Sequence, residues 1–463
     1  MKKPNIVYLH THDLGRYCEP MGYDIPAPNL QRLAEQGVLF RNCHASAPTC
    51  GPSRAALVTG RYPHSCGMLG LPSEPLGYSL DDYSHHIAQC MRNAGYTTAL
   101  SGVQHVARQP MVDPYEVLPY DRFLNHTPDA QQLHTRALTI PSAVDFLNEE
   151  HTSPFFISIG LVDPHRDNRH DKRTFIESIT IEEPADIEER ARYCQPFPHL
   201  PDNAITRRET ANFKMGVEQL DQDVGRLLAA LDQPAHRSHT LVIFTTDHGP
   251  GVCEMKATLS DRGTGVTTII RGPSDPTHGV ACLFSGGKVH DALCQHIDIY
   301  PTLCEIIGSP IPDHCQGKSM LPLVRDGAEQ IHDDIFTEQT YHWGDNPVPY
   351  RSVRTDRYRY IRCYKSDLVR GVDAGPAQWW LTEHGYANRP VPEHQLFDLY
   401  YDPHEANNLA SDPAYADVLS DLQRRMDVWQ TETADPIVHG IPIPPAKQNK
   451  ALHSDAVNRA REH

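Results

Sequence analysis

Short apolar runs punctuate the first two-thirds of the chain, and most of them end on histidine or aspartate. Ile6 to Thr11 reads as a buried strand ending in His12-Asp13. Thr97 to Ser101 predicts a short strand that ends at Gly102-Val103-Gln104-His105. Phe155 to Val162 is a strongly apolar strand running out at Asp163-Pro164-His165. Leu241 to Thr245 is another, followed by Asp247-His248-Gly249, and Thr267 to Ile270 predicts one more. Continuous rather than alternating hydrophobicity is the mark of strands buried on both faces.

Between these runs the apolar spacing becomes helical. Pro28-Asn29-Leu30 opens a helix through Gln36 and Gly37 closes it, with proline first and glycine last as helix ends prefer. Val217, Leu220, Val224, Leu227, Leu228 and Leu231 recur on one helical face. Strands alternating with helices predict an α/β fold, a mainly parallel sheet covered by helices on both sides. Ligands of such sheets bind beyond the carboxyl ends of the strands, and here four of those ends carry His/Asp pairs or a histidine.

After about residue 345 the pattern changes. Arg351 to Arg362 alternates basic with aromatic and aliphatic residues, as a half-solvated antiparallel strand would. Leu396 to Tyr400 continues that sheet, and Tyr415 to Thr431 predicts a closing helix. Residues 436–463 are rich in Pro, Asn, Lys and Arg without periodicity and read as a surface tail. The expected organisation is a large α/β domain over 1–345 and a smaller α+β subdomain over 346–463.

The chain has 463 residues, 39% of them hydrophobic, enough for that two-part arrangement. No apolar run approaches the ~18 residues of a membrane span. The apolar stretch after Met1 is too short for a signal-peptide core, so the expectation is a cytoplasmic protein, with an exported, trimmed form as the alternative. Twelve scattered cysteines then read as reduced thiols. A net charge of −17 argues against non-specific nucleic-acid binding. An anionic substrate would need a local positive field.

Residues 50–61 read Cys-Gly-Pro-Ser-Arg-Ala-Ala-Leu-Val-Thr-Gly-Arg. Alone, Cys50 is a buried thiol. The run resembles the sulfatase signature, in which a cysteine followed by x-Pro-Ser-Arg is oxidised to formylglycine. The resemblance extends from Asn5 to about Pro436 and includes Asp298 to Thr302 and Asp402 to Leu409. It implies an alkaline-phosphatase-like fold and maturation by a formylglycine-generating enzyme. It also implies a hydrated aldehyde at residue 50: one hydroxyl attacks sulfur and the other later collapses to expel sulfate. With a helix starting near Ser53, Arg54 would stand in its first turn beside the nucleophile.

The same resemblance implies a divalent metal, since cation charge neutralises the oxygens of a sulfate in the transition state. Asp13 and Asp247 are the strongest ligand candidates, with His12, His248 and Cys50 completing the set. The family's usual pairs are Asp-Asp and Asp-Asn, and its usual metal is calcium, which prefers oxygen donors. His12 replaces the first aspartate. Two imidazoles would shift preference toward Mn2+ or Zn2+. His12 is read in three ways: as a ligand, as a hydrogen-bonding neighbour of a ligand, or as a strand-end histidine with no part in the site.

His105 matches the family histidine that takes a proton from the nucleophile, whereas Val103 stands where the family has a sulfate-gripping lysine, a lost charge-assisted contact. His165 matches a sulfate-contacting histidine suited to general acid work. Lys256, nine residues past Asp247, matches a second active-site lysine. Gln104, Arg166 and His342 are candidate substrate contacts. The run Arg166, Arg169, His170, Lys172 and Arg173 is either a solvated face or the local positive field.

Within the family the likeness is strongest to heparan N-sulfatases (sulfamidases), through Cys50 to Leu71, Gln104-His105-Val106, Asp163 to Arg166 and Trp429 to Pro436. The implied substrate is a small sulfated sugar bearing a sulfate ester or sulfamate, although loops rather than fold set that choice. A phosphonate monoester or phosphodiester hydrolase of the same fold, and a non-catalytic binding protein on this scaffold, are the competing readings. A homo-oligomer is compatible with the tail. No nucleic-acid or membrane partner is expected.

Overall fold

Residues 2–73, 75–108, 112–125, 136–166, 175, 186–342, 344, 346–368 and 375–446 are described in a computed structural model. Nine strands form one sheet: β1 (Asn5–Thr11), β2 (Val38–His44), β3 (Thr97–Gly102), β4 (Arg122–Phe123), β5 (Phe155–Gly160), β6 (Thr240–Thr246), β7 (Gly265–Arg271), β8 (Lys288–His290) and β9 (Cys294–Gln295). Their spatial order is β4-β3-β5-β1-β6-β7-β2-β8, with β9 beside β2. The expected mainly parallel sheet is present: only β7 is reversed, antiparallel to both β6 and β2.

Strand β1 lies at the centre, in register with β5 on one side and β6 on the other. Its successive side chains enter opposite faces. Ile6 and Tyr8 pack with Phe40, Phe156 and Ile243, while Val7 and Leu9 pack with Ile157, Phe244 and Leu220. Two cores therefore flank one sheet, and each apolar run is explained by burial on both sides. Strand β2 escaped the sequence reading because Arg41 and Asn42 interrupt its apolar run, at the point where its register with β7 shifts.

The helix Pro28–Gln36 has the expected bounds. Its N-cap, Ala27, has no side chain to offer, and Asp221 of another helix accepts from the Asn29 and Leu30 amides instead. That second helix, Ala204–Leu231, starts well before its apolar stripe. Its polar first turn is fixed by a capping box between Asn203 and Thr206.

A four-stranded antiparallel sheet follows: β10 (Ile335–Gln339), β11 (Tyr350–Arg354), β12 (Tyr358–Cys363) and β13 (His394–Asp398), in that order. It begins ahead of residue 345, where the sequence changes character. The segment Arg351 to Arg362 is a hairpin rather than one strand, turning where the Thr355 amide bonds the Tyr358 carbonyl at 2.8 Å. Nor is it half-solvated. Arg351 and Arg359 are wholly buried and Arg354 nearly so, because Asp435, Asp261 and Glu405 supply counter-charges from elsewhere in the chain. Val353, Tyr360 and Leu396 form this sheet's core with Leu422 and Met426 of the closing helix Ala416–Glu432.

The segment read as a surface tail is docked as far as it is described. Asp435 caps the short turn Pro436–His439, the Tyr341 hydroxyl donates to the Pro442 carbonyl at 2.8 Å, and the Ala446 amide bonds the Leu76 carbonyl at 3.1 Å. Residues 447–463 lie outside the described residues. Among those described, no helix is long and apolar enough to cross a membrane.

His86 caps the helix Ile87–Asn93 through Nδ1, which accepts from the Ala88 amide at 3.0 Å. Burial lowers this imidazole's pKa to about 3. Because the unfolded chain takes up the proton near pH 6.5 and the folded chain does not, stability falls as pH drops below about 6.5 toward 3. Urea unfolding at pH 7 and pH 5 should differ by about 2 kcal/mol on account of His86 alone, and His86→Asn, which keeps a capping acceptor, should reduce that difference.

Candidate active site

The carboxyl ends of β1, β3, β5 and β6 meet over the start of the helix Cys50–Thr59. That helix begins at Cys50, three residues earlier than expected, and every residue in it is buried. Arg54 consequently stands one turn beyond Cys50 on the same face, not in the first turn.

His12, Asp13, Cys50, Asp247 and His248 each place a donor atom within 4.8 Å of all the others. His12 Nδ1 lies 2.7 Å from Asp13 Oδ1 and 3.2 Å from Asp247 Oδ2. His248 Nε2 lies 3.4 Å from Asp13 Oδ1, 3.6 Å from Asp247 Oδ2 and 3.4 Å from Cys50 Sγ. The other nitrogen of His248 faces the Gly249 carbonyl at 2.9 Å. A carbonyl only accepts, so Nδ1 carries the proton and Nε2 turns its lone pair toward the carboxylates, the arrangement of a metal-binding imidazole. His12 thus lies against both carboxylates of the cluster. Its Nε2 is buried without a hydrogen-bond partner.

Two cations hold the acidic pair. Arg54 reaches Asp247 Oδ2 at 3.1 Å through Nε and donates to the Thr11 carbonyl at 3.0 Å. Lys256 Nζ lies 3.0 Å from Asp13 Oδ2. Burial works to raise the pKa of Asp247, but His12, His248 and Arg54 outweigh it and keep the carboxyl well below the usual range. Burial also lowers the pKa of His12 and His248, against the opposing pull of the carboxylates beside them. Two carboxylates and two imidazoles converging in a buried site suit a divalent cation.

His105 and His165 pack edge-on against His12, with ring centroids 5.2 and 4.3 Å away. Each comes from a separate strand end, as expected. Val103 is buried, its amide bonded to the Gly160 carbonyl, so no cation enters from that position. The three candidate substrate contacts fare differently. Gln104 accepts from the Val106 and Ala107 amides and donates to the Ala107 carbonyl, which commits its amide to shaping the His105 loop. Arg166 is buried, paired with Glu209 and bonded to the Gly251 carbonyl at 2.6 Å. Its guanidinium joins the loops after β5 and β6. His342 is buried in the loop after β10 and outside the five-residue cluster. Arg169, His170, Lys172 and Arg173 lie outside the described residues.

Several supporting residues went unread in the sequence. His10 Nδ1 accepts from Arg54 at 2.6 Å, and its Nε2 meets Ser158 Oγ at 3.0 Å. A histidine inside an otherwise apolar strand was the available signal. Ser53 Oγ donates to the Asp247 carbonyl at 2.5 Å, with His296 Nδ1 3.3 Å behind it. Nothing local in the sequence ties His296 to residue 53.

Comparison with known proteins gives the family. A family model described as Sulfatase matches residues 4–309, and one described as N-sulphoglucosamine sulphohydrolase, C-terminal, matches residues 282–371. The N-sulphoglucosamine sulphohydrolase of Homo sapiens is 28% identical over 460 residues, covering 89% of this chain and 87% of its own length. An ulvan-active sulfatase of Formosa agariphila is 26% identical over 488 residues, covering 94% and 76%. The solved structure of BT4656 in complex with its substrate D-glucosamine-2-N,6-O-disulfate has the same fold, with a TM-score of 0.71 at 18% identity over 94% of this chain and 99% of that one.

Glu209 also accepts from the Ala377 amide at 2.6 Å, so one carboxylate ties three segments around the site. Glu209→Ala, which removes a buried counter-charge from Arg166, should cost about 3–5 kcal/mol in urea unfolding. Glu209→Gln retains an acceptor for Ala377 and should cost less.

Proposed function

The chain belongs to the sulfatase family and is a sulfate ester hydrolase; from that premise we propose that it cleaves a sulfate ester or sulfamate on a sulfated sugar, using formylglycine made from Cys50 and one divalent metal ion. The observation that carries the proposal is the position of Cys50 Sγ within the same 4.8 Å cluster as two aspartates and two histidines. A sulfated amino sugar is the favoured substrate class. It is supported by the match of residues 282–371 to the N-sulphoglucosamine sulphohydrolase C-terminal model and by the likeness to the human enzyme of that name.

Formylglycine would supply a hydrated aldehyde whose hydroxyl attacks sulfur. The metal, held by His12, Asp13, Asp247 and His248, would neutralise sulfate oxygens and favour the attacking oxyanion. The chain's own groups do the rest. Residue 50 is the first of its helix, where the helix dipole favours negative charge. Arg54 fixes Asp247 and adds positive charge beside the nucleophile. His105 would take the proton of the attacking hydroxyl and His165 would give one to the leaving oxygen or nitrogen, roles supported by their packing against His12. Lys256 brings a further ammonium to the anionic substrate, partly offsetting the lysine absent at position 103.

The peptide spanning Cys50 should weigh less than its sequence predicts, with the thiol and one hydrogen replaced by a carbonyl oxygen. Cys50→Ala should lower kcat by about 10^4-fold or more. Activity on N-sulfated glucosamine should exceed that on an aryl sulfate and an aryl phosphodiester measured side by side. A full-length thiol peptide in a fully active sample would exclude the aldehyde, and preference for the phosphodiester would exclude the substrate class.

The donor set of two imidazoles and two carboxylates favours Mn2+ or Zn2+ over Ca2+. Chelator-stripped enzyme should regain activity with Mn2+ or Zn2+ and regain little with Ca2+ alone; the reverse ranking would identify His12 as a bystander to coordination.

A further inference from the structure

At the end of β6 opposite the active site, His239, Asp275 and His278 bring three donor atoms within 4.8 Å of one another. His239 immediately precedes β6, and Asp275 and His278 follow β7. Because β7 runs antiparallel to β6, the topology delivers all three to one place. His239 Nδ1 lies 3.0 Å from His278 Nε2 and 3.7 Å from Asp275 Oδ2.

The orientation of His278 is fixed from behind. Its Nδ1 faces the Lys2 carbonyl at 2.9 Å, and since a carbonyl only accepts, that nitrogen holds the proton. The lone pair of Nε2 therefore points into the cluster, as in an imidazole prepared for a metal. The Asp275 carboxylate is held by the Thr277 amide at 2.9 Å. The Cys282 thiol is engaged on the Asp275 backbone carbonyl at 3.0 Å, which leaves a donor set of two nitrogens and one oxygen. His278 is buried, whereas the side chains of His239 and Asp275 keep 35% and 27% exposure, so the cluster is open to ions from solvent.

We propose that His239, Asp275 and His278 bind a transition-metal ion, Zn2+ in particular, as a structural clip separate from the active site. Two imidazoles and one carboxylate suit Zn2+ and disfavour Ca2+ or Mg2+. Water completes the coordination. The clip lies where the first residues of the chain are stitched to the sheet: the Asn5 amide bonds the His239 carbonyl at 2.8 Å, and the Lys2 amide bonds the Thr277 carbonyl at 3.2 Å. A bound ion would lock the start of β1 against the β6 and β7 ends. Without an ion, the two imidazoles would share a single proton across the same 3.0 Å, and that is the rival state.

The test uses untagged, full-length protein, stripped with chelator, re-equilibrated with Zn2+ and freed of excess. Metal per chain is counted by elemental mass spectrometry for the wild type, His239→Ala and Asp275→Asn. Each variant should carry one Zn2+ fewer than the wild type, and the rise in melting temperature on adding Zn2+ should shrink. Their turnover of an aryl sulfate should be unchanged, since neither residue touches the active site. Equal zinc content in the wild type and both variants would overturn the proposal, whatever the enzyme's substrate or active-site metal proves to be.

Discussion

The buried carboxylate of Asp247 is the group on which the rest of the site depends. Its Oδ1 accepts from the backbone amides of Asp13 and His248, and its Oδ2 from the Arg54 guanidinium. Those contacts join the end of β1, the end of β6 and the helix that starts at Cys50. Burial works to raise the pKa of this carboxyl, but the neighbouring imidazoles and Arg54 hold it well below the usual range. Arg54 is equally dependent, because a guanidinium that is 1% exposed needs a counter-charge. The contacts that order the site are therefore the same ones that set its charge.

The backbone at the strand ends is shaped to aim these groups. Asp13 and His105 adopt positive φ, 53° and 54°, as do Glu254 and Ala257 on either side of Met255 and Lys256. A left-handed conformation costs a non-glycine residue of order 1–3 kcal/mol and persists only where surrounding contacts hold it. Here they do: the Asp13 amide is held by Asp247, and the Ala257 amide by the Pro48 carbonyl, just ahead of Cys50. The reversals turn Asp13 and Lys256 toward each other rather than along the strand direction.

Outside the site, the same solution recurs on a larger scale. Asp261 gathers Arg16, Arg354 and Arg359, so that the loop before β7 is joined to the antiparallel sheet. Arg351 faces Asp435 and Glu338, and Asp435 in turn caps the docked segment after the closing helix. Buried ion pairs add little net stability over apolar packing, but they tolerate few alternative partners. They are well suited to fixing how the second sheet sits on the first, and they account for arginines that alternate like surface residues yet lie inside.

By itself the sequence determined the sheet strands that carry the site, and where they stop. An apolar run broken by His or Asp is a local signal, and locality is what pattern reading can use. It also made the family legible at Cys50, because that motif is contiguous. It did not reveal the scaffold partners of Gln104 and Arg166, since those include residues such as Glu209, far away in the chain. It read one strand in place of the hairpin of β11 and β12, because charge alternation does not reveal a buried counter-charge. Only the tertiary structure decided that His12 Nδ1 joins two carboxylates, that Arg54 lies one turn above Cys50, and that His239 meets Asp275 and His278. Each of these is a meeting between residues on different elements, set by strand order and direction, and no stretch of a single chain encodes such an encounter locally.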